Sequence, residues 1–109
     1  MNPNDYTIRH LDTMRRFATE LDALPAAILE HRYFSEVFGS WSTTIRFKGQ
    51  VFRVAYDGRD GNVALEHSTT KKRPYTWQGP TWTTRLASRD AEMPIPELKA
   101  AMADVIKAG

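Results

Sequence analysis

From Trp41 to His67 the chain alternates apolar and polar residues around two turn signals, and this alternation dictates how three strands must pair. Trp41, Thr43, Ile45 and Phe47 alternate with Ser42, Thr44 and Arg46 before Lys48-Gly49, a tight-turn signal between two strand-like runs. With Lys48 and Gly49 as a two-residue hairpin loop, Ile45 falls opposite Phe52, Thr43 opposite Val54 and Trp41 opposite Tyr56. The next turn, Asp57-Gly58-Arg59-Asp60-Gly61-Asn62, is built from turn-forming residues. Pairing Asp57 with Asn62 sets Tyr56 against Val63, Val54 against Leu65 and Phe52 against His67. One face is then apolar across three strands, and a slip of one residue would turn every one of these side chains to water. The other face carries Ser42, Thr44, Arg46, Val51, Arg53, Ala55, Ala64 and Glu66. Small, polar and mostly basic, it is expected to face solvent.

A fourth strand is expected from about Thr81 to Ala87, with Trp82, Thr84 and Leu86 on one side and Thr83 and Arg85 on the other. On either side of these strands the period changes. Ile8, Leu11, Met14, Phe17, Ala18, Leu21 and Leu24 follow a helical stripe, with Asn2 as cap and Pro3 in the first turn. Pro25 ends that helix and opens a second, running from Pro25 to about Phe38 with Gly39 as the stop. Tyr33, Phe34, Val37 and Phe38 fit a short strand equally well. At the other end Ile95, Leu98, Ala101, Met102, Val105 and Ile106 make one apolar stripe, and Glu97 early and Lys107 late suit the helix dipole. The expected architecture is a single α+β domain over residues 1–109. It has two layers, an antiparallel sheet of about four strands with helices on its apolar face, in the order αα-ββββ-α.

At 109 residues, of which 41% are hydrophobic, the chain can bury a core of its own. No apolar run reaches the roughly 18 residues that span a bilayer, so no membrane association is expected. The absence of cysteine rules out disulfides, thiolate metal sites and a cysteine nucleophile. With the polar opening Met-Asn-Pro-Asn-Asp it leads to an expectation of a cytoplasmic setting.

Charge is sorted along the chain. Residues 1–45 hold four arginines against six acids, residues 46–89 nine cations against three acids, and residues 90–109 two lysines against four acids. The basic middle includes the connection between the third and fourth expected strands, residues 69–80, which is long for a compact domain. Lys71, Lys72 and Arg73 lie there beside Tyr75 and Trp77, with Trp82 following. Trp, Tyr and Arg are the favoured anchors of protein interfaces; the same residues suit a single strand of nucleic acid, with cations on phosphates and rings under bases.

Motifs of catalysis and of metal binding are not found. His10, His31 and His67 have no ligand spacing. Asp57, Asp60 and Asn62 lack the full calcium-loop pattern, and no nucleophile elbow or phosphate cradle occurs. His67, beside Phe52 on the inner face, is expected to be a core-edge histidine, with Glu66 turned to the opposite face; a small-ligand site lined by His67 and Tyr56 is a third class.

The function expected first is therefore a non-catalytic protein-binding module without cofactor or metal: a small cytoplasmic regulator, inhibitor or immunity-type protein. Trp77, Tyr75 and Trp82 would anchor the partner, and Arg46, Arg53, Arg59, Lys71, Lys72, Arg73 and Arg85 would steer its acidic surface. A single-stranded nucleic-acid-binding domain using the same patch is the alternative. An uncovered edge strand would also invite self-association.

Overall fold

The computed structural model describes residues 3–87 and 92–108. The elements run α1 (Pro3–Ala23), β1 (Ala27–Phe34), β2 (Ser40–Phe47), β3 (Gln50–Asp57), β4 (Asn62–Ser68), β5 (Trp77–Arg85) and α2 (Ile95–Ala108). The strands form one antiparallel sheet in the order β1-β2-β3-β4-β5, a plain meander. The two helices contribute to the core on one face, so the fold is a two-layer α+β fold. The pairings expected for the central strands are the observed ones: Ile45 with Phe52, Thr43 with Val54 and Trp41 with Tyr56, then Tyr56 with Val63, Val54 with Leu65 and Phe52 with His67. Lys48 and Gly49 close their hairpin at φ 50° and 78°, the left-handed pair a two-residue loop requires.

The order αα-ββββ-α needs correction to α-βββββ-α, because Ala27–Phe34 is an edge strand and not a second helix. Ala26, Ala27 and Leu29 favour a helix locally, but His31 pairs with Thr43 and Tyr33 with Trp41 across β2. That pairing puts the His31 and Tyr33 rings on the helix side and Glu30, Arg32 and Phe34 on the other. Tertiary pairing thus overrides local propensity. α1 does stop before Pro25, where the Leu24 and Ala26 amides donate to the Leu21 carbonyl at 3.2 and 2.7 Å. Phe38 at φ 55° and Gly39 at φ 73° then turn the chain from β1 into β2.

The core lies between the helices and the inner sheet face. Ile45, Phe52, Val54, Val63 and Leu65 are fully buried there against Phe17 and Leu21 of α1 and Leu98 and Met102 of α2. α1 is rotated from the expected stripe over its N-terminal half: Ile8 and Leu11 are 56% and 61% exposed, whereas His10 and Thr13 are buried. The cause is local. The His10 ring stacks on Tyr33 at 3.9 Å between centroids, so this half of the helix rests on a polar-aromatic edge strand and not on aliphatic core. The capping residue expected at Asn2 lies outside the described residues.

β5 begins at Trp77, four residues earlier than expected, and a bulge between Leu65 and His67 divides its pairing with β4. Gly79 stands in that irregular stretch at φ 121°, where a side chain would crowd the Thr81 amide. A second close approach joins the two far turns. Gly58 lies directly against the Phe38 carbonyl, where any Cβ would clash, and its amide donates to Ser40 Oγ at 2.9 Å.

Candidate functional site

The outer face of the sheet, away from the helices, is an open groove of about 740 Å³, within the range of roughly 300–1,000 Å³ typical of ligand sites. Register builds it. Arg32, Ser42, Ala55, Ala64 and Thr83 stand side by side across the five strands. The small side chains of that row form the floor. The neighbouring row, Glu30, Thr44, Arg53 and Glu66, rises on one side. On the other side stand Phe34, Asp57 and Asn62, with Val37 from the β1–β2 turn.

At the first wall the Arg53 guanidinium donates twice to Glu66, from Nε at 2.9 Å and from Nη2 at 2.8 Å. It also lies over the Trp77 ring at 4.4 Å, and Tyr75 leans on Trp77 at 5.6 Å between centroids. A bidentate pair under an aromatic ring is held in one geometry at little further cost in side-chain entropy. Glu30 accepts from Arg32 Nε at 2.8 Å, and Arg73 Nη2 stands 3.8 Å from its other oxygen. The hydrogen bond from Arg32 is the main reason that the Glu30 carboxyl titrates below its ordinary range. Both carboxylates on this wall are therefore engaged by arginines.

The long connection is structured. Thr69 and Thr76 close it through an amide-to-carbonyl bond of 2.9 Å. Inside it, Ser68 Oγ donates to the Thr70 carbonyl at 2.6 Å and accepts from the Thr70 and Thr76 amides. Thr70 Oγ1 donates to the Pro74 carbonyl at 3.1 Å. Arg46 reaches the Lys71 carbonyl at 3.4 Å, so the loop folds back over this end of the outer face. Val51, the partner of Arg46 across the β2–β3 pair, faces outward by alternation yet is fully buried.

The ten residues expected to bind do not form one patch. Arg53, Tyr75 and Trp77 line the groove, Arg73 reaches Glu30 in its wall, and Arg46 bonds the carbonyl of Lys71, with Lys72 next in the same loop. Arg59 lies near the Phe38 ring at 5.9 Å, and Arg85 pairs with Asn62, so both stand at the end opposite that loop. Trp82 is the exception. Its pairing with Leu65 places it on the helix face, packed against the core beside Ala101 and Val105 of α2. Alternation along β5 separates it from Trp77.

What β1 adds to the groove, Glu30 in the first wall, Arg32 in the floor row and Phe34 in the second wall, escaped the sequence reading, because a helix was expected from Pro25 to about Phe38. His67 sits at the core edge, 5.3 Å from the Phe52 ring and 3.2 Å from Gln50 Oε1, while Tyr56 is buried in the core. Phe52, Val54, Val63 and Leu65 beside them are at most 1% exposed. Asp57 caps its own turn by accepting from the Arg59 amide at 2.9 Å. Among the described residues no three His, Asp or Glu side chains gather as metal ligands, and no helix is long and apolar enough to cross a membrane.

Also missed was a contact between two histidines. His10 Nε2 and His31 Nε2 are 3.0 Å apart, and His31 Nδ1 bonds Thr43 Oγ1 at 2.8 Å. The residues lie 21 positions apart, a spacing that signals nothing until α1 is laid along β1. No protein-family model, no curated protein and no solved structure matches this chain.

Proposed function

We propose that this chain is a non-catalytic protein-binding module that takes a segment of its partner along the outer-face groove, in the manner of a small cytoplasmic regulator, inhibitor or immunity-type protein. The observation that carries this reading is the row of small side chains, Ser42, Ala55, Ala64 and Thr83, lying between a wall that carries Arg53 with Trp77 and one on which Phe34 and Val37 stand beside Asp57 and Asn62. Such a trough accepts a chain whose apolar residues rest on the alanines and whose acidic flank meets Arg46, Lys71 and Lys72. Trp77 and Tyr75 supply rigid contact area on one side, Phe34 and Val37 on the other.

The groove's own carboxylates favour a protein over a nucleic acid. Glu30 and Glu66 already hold Arg32, Arg73 and Arg53, so those guanidinium groups are engaged before a polyphosphate backbone could lie along the groove. Arg53 also covers one face of Trp77, the ring that base stacking would use.

The test is capture of partners from the native host on the tagged chain, with and without nuclease, followed by calorimetric titration of the purified partner. A stoichiometric protein that survives nuclease supports the reading if Ala64→Trp, which fills the groove, weakens it at least tenfold. Nucleic acid that is lost with nuclease and with salt overturns it in favour of the alternative. Unchanged affinity in Ala64→Trp overturns the groove as the site.

A further inference from the structure

α1 is held to the sheet in two different ways. Its C-terminal half is anchored by Phe17 and Leu21, both buried in the core. Its N-terminal half rests on the edge strand through His10, whose ring stacks on Tyr33 and whose Nε2 meets His31 Nε2 at 3.0 Å. Ring centroids 5.1 Å apart and planes within 21° of each other describe two imidazoles meeting edge to edge. Between two such nitrogens one proton serves both, one ring donating and the other accepting. A proton on each ring leaves two donors in contact and no acceptor.

We propose that the His10–His31 pair is a proton-sensitive latch, which holds the N-terminal half of α1 on β1 and releases it on mild acidification. Among the described residues, the groups facing the pair offer no charge to offset a second proton. From β1 the pair faces Tyr33, and from β2 it faces Trp41 and Thr43, all neutral. Glu30 and Arg32 line the groove on the other face of the sheet, and Arg9 and Asp12, beside His10 on α1, are exposed. Burial lowers His10 from 6.5 to about 4, with His31 adding Coulombic repulsion, and burial lowers His31 as well.

The sign follows from linkage. Both folded values are depressed, so the latch is fully stabilising above about pH 6.5 and weakens as pH falls toward about 4. Taking an ordinary value for the opened state, His10 alone raises the opening equilibrium about 20-fold between pH 7 and pH 5. Release would uncover the ring face of Tyr33 and one side of Trp41 beside the already exposed Ile8 and Leu11.

Hydrogen-exchange protection factors, corrected for intrinsic rates, test this on the whole chain. Between pH 7 and pH 5, protection across residues 8–14 is expected to fall about 20-fold, while residues 17–21 and β3 hold. The His67→Gln variant should respond like the wild type, and the His10→Gln/His31→Gln double variant should lose the response. Equal protection at both pH values, or a response that persists in the double variant, overturns the latch. Should that variant fail to fold, ring-proton NMR of the wild type decides: coupled titration well below the ordinary histidine value supports the proposal, and independent titration near 6.5 overturns it.

Discussion

The two faces of the sheet are made from the same strands, often from neighbouring residues, and they obey different rules. On the inner face Ile45, Phe52, Val54, Val63 and Leu65 are at most 1% exposed. Shape there is set by close packing. On the outer face Ser42, Ala55 and Ala64 are partly exposed, and order comes instead from directional bonds: the Arg53–Glu66 pair, the Arg53–Trp77 contact and the hydroxyls that tie the 69–76 loop. A packed face tolerates no gap, whereas a face built from hydrogen bonds around a trough has room for a visitor. Substitutions on the inner face should therefore cost stability, and those on the outer face should cost recognition.

Phe52→Ala is the most severe test of the contrast. The deleted ring is fully buried, so urea unfolding should show a loss of about 3–5 kcal/mol. A loss below about 1 kcal/mol would mean that the inner face is not the close-packed layer described. Trp77→Ala should do the reverse, weakening partner affinity at least tenfold, or about 1.4 kcal/mol, and leaving the domain folded. Calorimetry paired with thermal melting separates the two readouts, and unchanged affinity would remove Trp77 as an anchor. Glu66→Gln lies between them. It leaves Arg53 half-matched in a partly exposed position, and about 1 kcal/mol of stability should be lost in urea titration. No loss would show that the Trp77 ring alone holds the guanidinium. The smallest stability effect is expected of Lys71→Glu with Lys72→Glu, within about 0.5 kcal/mol of wild type. Stopped-flow association with an acidic partner should nevertheless slow, most visibly at low salt. A rate unaffected by both reversals would place the acidic flank elsewhere.

Much of the inner face was legible in the sequence, and so were Ser42, Thr44, Arg53, Ala55, Ala64 and Glu66 of the groove, but not what β1 adds to them. Period-two alternation and a two-residue turn name the pairing partners of Ile45, Val54 and Leu65 because only one register buries them all. β1 was less legible, since Ala26, Ala27 and Leu29 carry helical preference while His31 and Tyr33 reveal their strand role only once paired with Thr43 and Trp41. The same ambiguity hid what β1 contributes to the groove, Glu30, Arg32 and Phe34. Trp82 and Trp77 look alike in a linear reading of an aromatic-basic stretch, yet on one continuous strand their odd spacing sends them to opposite layers.

By itself, then, the amino-acid order determined the local periods: where the chain alternates, where it turns, where two amphipathic helices lie and where positive charge and aromatic rings concentrate. These follow from interactions between residues close along the chain, which carry their own signal. The tertiary structure decided what meets across distance. It made Ala27–Phe34 an edge strand, aligned four small side chains into a floor and set Arg53 between Glu66 and Trp77. It also brought His10 to His31. The reason is physical: a polar side chain's partner is chosen by the packing of whole elements, and only the folded chain supplies that packing.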